Sequence, residues 1–278
     1  MATERDNAAG APRVHPSAVV GPQVVLGAGV EVGPFCLLEG NVSIGPGSRL
    51  LGHVTVLGDT RLGRDNVLHP NVVIGDEPQD LSYTGGPREV RIGDRNIFRE
   101  GVTVNRGSEK GRVTVIGDDN YFMQNSHVAH DCRVGNGTII AGGALLAGWV
   151  EVGDRALVSG NCVVHQFVRI GRLAMMRGLS RTSRDIPPFC IADGTHTLRG
   201  INVTGLRRAG ADRDSILSLR KAFGALFGVR QNLKLAVERV LAGDGISSEV
   251  GELIEFIGAS KRGVAFSPRA REDEDIED

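Results

Sequence analysis

Aromatic side chains are scarce in this chain: one Trp, two Tyr and nine Phe make up 4% of its 278 residues. The core must therefore be built from Val, Ile, Leu and Ala, and from backbone that packs closely. Charge of one sign is also lacking, since 32 Lys and Arg stand against 33 Asp and Glu, a formal net charge of −1. That balance argues against a general nucleic-acid binder, which needs clustered positive charge. No apolar run approaches the ~18 residues of a membrane-spanning helix. The opening stretch from Met1 to Asn7 is charged and has no signal-peptide character. Cysteine is limited to Cys36, Cys132, Cys162 and Cys190, which read as reduced thiols, not a disulfide framework. The expectation is a soluble, cytoplasmic protein.

Glycine, in contrast, fills 39 positions, about twice the ordinary share of ~7%. It accompanies a strict period. Val14, Val20, Leu26, Val32, Leu38, Ile44, Leu50, Val56, Leu62, Leu68 and Ile74 follow one another at steps of six. A second series runs Ile116, Phe122, Val128, Val134, Ile140, Leu146, Val152, Val158, Val164, Ile170 and Met176. With 41% hydrophobic residues overall, two such unbroken runs are not chance. A helix needs a period of 3.6 and a strand a period of 2, so six fits neither alone. It does fit one short strand plus one corner, with Gly or a small polar residue easing the turn. Three units close a triangular coil, and stacked coils pair as parallel strands ~4.8 Å apart. Three of the cysteines fall on a column of small inward residues, where they read as packing.

The beat fails in two places, near 76–90 and 105–113, where Gly, Pro and charge accumulate; these are expected as external loops, which often carry function. After Ser180 it stops, and Ile216, Leu219, Phe223 and Leu226 take helical spacing. The predicted organisation is a disordered N-terminus over 1–12, a β-helix over 13–189, a helical domain over 190–265 and a disordered acidic tail over 266–278.

Three of the seven histidines draw attention: His127, His130 and His165. Val128 points inward, so His130, two places on, is expected to point outward. Eighteen residues later comes Gly148, directly above His130 in the next coil. His165 lies two coils above Ala129. Asp131 stands beside His130, where it could orient the imidazole and raise its basicity. Outward histidines can also merely coat a surface, and histidine is a common zinc ligand. His127 and His130 flank an inward residue and diverge, which makes them a poor chelating pair.

The runs His130-Asp131-Cys132, His165-Gln166-Phe167, Gln79-Asp80-Leu81, Ile186-Pro187-Pro188 and Gly200-Ile201-Asn202 occur in family order on this repeat. Together they make the chain resemble the bacterial UDP-N-acetylglucosamine O-acyltransferases that begin lipid A synthesis, over roughly residues 14–265. The resemblance implies a left-handed parallel β-helix with a C-terminal helical domain, an exception to the right-handed crossover rule. It also implies a homotrimer with active sites between subunits. The reaction implied is transfer of a 3-hydroxyacyl group from acyl carrier protein to the 3-hydroxyl of UDP-N-acetylglucosamine, with no cofactor and no metal.

By the same resemblance His130 is the general base, Asp131 its orienting partner and Gly148 the backbone donor to the oxyanion. His127, Asp80 and Gln166 would contact the sugar nucleotide, with Gln79 and Ser82 in the same binding set, and His165 would line the acyl-donor site. Asn202 and Arg208 would reach the uridine diphosphate of a neighbouring subunit, and Gly178 would floor the acyl groove. Arg207, Arg208, Arg220 and Lys221 are candidates for docking the acidic carrier protein, or simply a solvated helix face. Ser82, Trp149, Thr204 and Ala209 depart from the family's pattern, and Arg177 beside Gly178 is unusual. A same-fold acyltransferase acting on a 3-amino sugar nucleotide, a zinc enzyme resembling gamma-class carbonic anhydrases and a non-catalytic trimer are the alternatives.

Overall fold

The structure, a computed structural model, describes residues 10–228, 232–243 and 246–267. Each hexapeptide contributes a strand of two to four residues and a corner. Successive strands fall in turn on three sheets of eleven, nine and eight strands, called here the first, second and third faces of a prism. Pairing within them is parallel except for the last pair of the first sheet, and its regular step is eighteen residues, as in Val128 with Leu146 and Leu146 with Val164. The result is a left-handed parallel β-helix followed by helices. The inward residues Val128, Leu146 and Val164 are fully buried, and Phe98 and Phe122 stack inside the prism at 4.8 Å.

The two breaks in the period are loops between otherwise regular coils. Coil-to-coil separation widens to 30 residues between Arg64 and Asp94 and to 24 between Asp94 and Asp118, then returns to 18. Both loops leave the same corner, between the second and third faces. Asn105 donates to the Glu77 carbonyl at 2.7 Å, and Arg106 reaches the Gly75 carbonyl and Glu77. Arg88 of the first loop donates to the Ser108 carbonyl of the second. The loops are thus tied to each other and to the prism.

One inward column is polar. Ser48, Asn66, Asn96, Asn120 and Thr138 are buried, and each amide oxygen accepts from the coil above it. At the corners themselves, glycine is not the general solution. Asp65, Asn71, Asp119, Asn125, Asp131 and Asn161 adopt positive φ, as their short polar side chains permit.

The boundary of the helical region differs from the sequence expectation. Residues 190–201 form an antiparallel hairpin, Cys190–Ala192 with Leu198–Ile201, that extends the first face. Helix starts only at α1 (Val203–Arg208), followed by α2 (Arg213–Phe227), α3 (Leu233–Leu241) and α4 (Ser248–Gly258). The reason is local: Asn202 caps α1 by accepting from the Gly205 amide, whereas the preceding segment completes the open sheet edge. The tail expectation also shifts, because Phe266 bridges to Thr197 and Ser267 is buried, while 268–278 lie outside the described residues. At the other end 1–9 lie outside them too, and Gly10 accepts from the Gly29 amide. Among the described residues no helix is long and apolar enough to cross a membrane.

Candidate active site

Three successive coils stack His130-Asp131, Gly148-Trp149 and Gln166-Phe167 on the corner between the second and third faces. Asp131, Trp149 and Phe167 all have positive φ, at 61°, 58° and 65°. For Trp and Phe this conformation is unfavourable, and the fold must hold it in place. Trp149 and Phe167 stack at 4.8 Å, and the Trp149 ring meets His130 edge-on at 4.6 Å.

His130 is more enclosed than the sequence suggested. The ring lies outside the apolar core, as expected, but only 6% of the residue is exposed, because Trp149 and the Gly148 backbone cover it. A Cβ at position 148 would stand 2.5 Å from His130 Cε1, so only glycine lets the upper coil lie this close. Nδ1 is 2.8 Å from Asp131 Oδ2, which fixes the tautomer with Nδ1 as donor. Nε2 has no hydrogen-bond partner among the described residues, yet it is not sealed from solvent. It is the nitrogen available to take a proton.

Asp131 is held in turn by Ser108, whose amide and hydroxyl donate to the same Oδ2 at 3.0 and 2.8 Å. Burial alone would push the Asp131 carboxyl up, but the hydrogen bonds from His130 and Ser108 outweigh it and keep the group below its ordinary value. The pair is therefore an anionic carboxylate and an imidazole with one free lone pair. The Gly148 amide has no acceptor among the described residues, which leaves it free to face a developing oxyanion.

The first loop brings Asp80 to this corner. Its carboxylate accepts from the amide and hydroxyl of Ser82 at 2.9 and 2.8 Å. Those bonds, and after them the Ser108 hydroxyl and the His130 charge, hold it below the ordinary aspartate value. Gln79 and Ser82 are exposed beside it. His127 lies on the second face with Nδ1 2.7 Å from the Thr103 hydroxyl; burial pushes its pKa down and nearby His130 adds to this. His165 is exposed two coils above Ala129, 3.4 Å from an Arg262 nitrogen. From Asp131, Trp149 and Phe167 a groove of about 660 Å³ runs across the third face past Arg133 and Arg169 to Lys261.

Other expected site residues lie elsewhere on the prism. Gly178 follows Gly142 and Gly160 at eighteen-residue steps on the corner between the first and second faces. Asn202 sits by the corner between the third and first faces, buried, with its amide nitrogen on the Leu173 carbonyl at 2.8 Å and its oxygen capping α1. Arg208 is exposed at the end of α1. Sequence reasoning missed Ser108, and noted Trp149 only as a departure and Phe167 only as part of a motif. The eighteen-residue step from Asp131 was the available signal for both rings; Ser108, in an irregular loop, gave none. Among the described residues no group of three or more His, Cys, Asp or Glu is arranged to hold a metal ion.

Comparison with known proteins fits this geometry. A sequence model of bacterial transferase hexapeptide repeats matches residues 114–148, the coils that carry His130 and Gly148, and defines the class: a hexapeptide-repeat transferase. The second-domain model of UDP-N-acetylglucosamine O-acyltransferase matches residues 185–265. An acyl-(acyl-carrier-protein)–UDP-N-acetylglucosamine O-acyltransferase of Burkholderia orbicola is 46% identical over 261 residues, covering 91% of this chain and 98% of its own. Its counterpart in Agrobacterium fabrum is 41% identical over 216 residues, covering 77% and 80%. Among solved structures, the UDP-N-acetylglucosamine acyltransferase of Bacteroides fragilis superposes with a TM-score of 0.87 at 37% identity, covering 90% of this chain and 99% of the other. The chain belongs to the UDP-N-acetylglucosamine O-acyltransferase family.

Proposed function

We propose that the protein transfers a 3-hydroxyacyl group from acyl carrier protein to the 3-hydroxyl of UDP-N-acetylglucosamine in the cytoplasm, using His130 as general base. The observation that carries this is the His130–Asp131 pair at 2.8 Å beneath the free Gly148 amide. A sugar hydroxyl is a poor nucleophile until a base removes its proton, and a neutral imidazole does this near pH 7. His130 Nε2 takes that proton while Asp131 holds Nδ1–H and favours the imidazolium. The alkoxide attacks the thioester carbonyl, the oxyanion is met by the Gly148 amide, and the thiol leaves with the proton from His130. Asp80, with Gln79 and Ser82 beside it, and His127 and Gln166 around the ring, bind the sugar nucleotide.

The distribution of the remaining residues supports a homotrimer. Asn202 and Arg208 lie by a different corner from His130, and Gly178 by the third, so a single prism keeps them apart. From Ile97 to Met175 the outward positions of the first face carry Ile97, Tyr121, Ile139, Leu157 and Met175, and over the same coils those of the second carry Thr103, His127, Leu145 and Val163. The third face carries Arg61, Arg91, Arg133, Glu151 and Arg169. Packing the first face of one copy against the second face of the next covers the apolar positions and leaves the charged face in water. It also brings Asn202 and Arg208 of one copy toward His130 of its neighbour, while His165 and Gly178 border the acyl chain in the same cleft.

The test is an assay of purified protein with 3-hydroxyacyl carrier protein and either UDP-N-acetylglucosamine or its 3-amino analogue. O-acylated product from the first acceptor is the expected result. Product from the amino sugar alone would assign a different acceptor, one consistent with Ser82, Thr204 and Ala209 standing where the family has other residues.

A further inference from the structure

We propose that Ser108 is a positioning residue for the proton-accepting pair, its amide and hydroxyl holding Asp131 against the His130 ring while Arg88 of the first loop holds its carbonyl, so that this loop and the ring are mechanically linked. This rests on the reading of His130 as the base.

Three donors converge on one oxygen of Asp131: His130 Nδ1–H, the Ser108 amide and the Ser108 hydroxyl, at 2.8, 3.0 and 2.8 Å. Its other oxygen, Oδ1, is buried and accepts from nothing among the described residues. The carboxylate is thus oriented from one side only, and two of its three anchors belong to Ser108. Ser108 itself is buried, and Arg88 of the first loop holds its carbonyl at 3.1 Å. A serine hydroxyl has one proton to donate, and Ser108 gives it to Asp131. The path of the first loop is therefore passed through Arg88 to Ser108, and from Ser108 to the carboxylate that orients His130.

The experiment compares the full-length wild type with Ser108→Ala and Ser108→Thr, reading kcat, KM for the donor, and the His130 Nδ1–H resonance in protein carrying ¹⁵N-labelled histidine. Ser108→Ala is expected to lower kcat about tenfold, the scale of a slightly misplaced catalytic group, with donor KM unchanged. Its Nδ1–H signal is expected to move upfield and exchange faster with water. Ser108→Thr, which keeps the hydroxyl, is expected to restore both. Arg88→Ala gives a second probe that leaves Ser108 in place, and it is expected to shift the same resonance. A Ser108→Ala enzyme with wild-type kcat and an unmoved resonance would overturn the proposal, as would an Arg88→Ala resonance identical to wild type. A wild type that forms no acyl product while the resonance still responds to Ser108 and Arg88 would sink the proposed reaction and leave this coupling standing.

Discussion

The corner bearing Asp131, Trp149 and Phe167 and the corner bearing Gly142, Gly160 and Gly178 are made by the same hexapeptide at the same eighteen-residue step. Non-glycine residues are held at positive φ at both, Asp131, Trp149 and Phe167 at the first and Asn161 and Leu179 at the second, but at the first two loops fold over the edge and a carboxylate is fully enclosed. At the second, a Cβ added to Gly160 or Gly178 would meet only the carbonyl of the glycine below, at 3.4 and 3.5 Å. The repeat fixes the backbone and the inward column, and leaves the outer corner residues free to differ. The chemistry proposed for His130 sits on those free positions, at the first corner.

Substitutions can separate the two corners, and the largest effect is expected at the base. His130→Ala should lower kcat by about 10²–10⁴-fold with the assembly intact by light scattering. Gly148→Ala comes next, since its Cβ would displace the His130 ring, and a fall of about 10²-fold in kcat is expected. The matching change on the other corner, Gly178→Ala, should leave proton transfer and melting temperature as they are. It should alter only the preferred acyl length, measured with carrier proteins charged with a series of chains. Equal losses from the two glycine variants would erase the contrast.

A pH experiment reaches the buried carboxylate itself. Asp131 has a folded-state pKa below the ordinary 3.8, so its contribution to stability is complete above that value and is lost as pH falls through the folded pKa. Wild type should therefore lose stability on acidification below pH ~4 by a component that Asp131→Asn lacks, as read by thermal unfolding at stepped pH. Trp149→Ala gives a smaller effect. It removes an edge contact with His130 and the stack on Phe167, contributions of about 0.5–1.5 kcal/mol each, and a fall of about three- to tenfold in kcat is expected. The smallest effect concerns the prism interior: all four cysteines are buried and free, and burial pushes the Cys132 thiol up to about 12. Native protein should resist thiol reagents at pH 8 over hours, and unfolded protein should react at once.

The prism was legible in the sequence because its rule is one of spacing, and a side chain's distance along the chain gives its height and face. The same arithmetic placed Gly148 over His130 without any coordinates. What escaped was whatever departs from that rule. Asn66, Asn96 and Asn120 sit on an inward column where apolar residues are sought, and their burial depends on hydrogen bonds with the backbone of other coils. The hairpin at 190–201 carries no hexapeptide and is strand only because an open sheet edge precedes it. Ser108 lies in an insertion whose path no period predicts. His130 was placed on the correct corner but expected in the open, because spacing says nothing about the width of the tryptophan one coil above.

The central claim is that a complete site needs His130 from one copy and Arg208 from the next, and mixed assemblies test it most directly. His130→Ala and Arg208→Ala proteins, each inactive alone, are unfolded together, refolded as a 1:1 mixture and assayed with both substrates. Every mixed trimer then regains one intact site, and about a quarter of wild-type activity should return. A mixture no more active than its two parents would contradict the account.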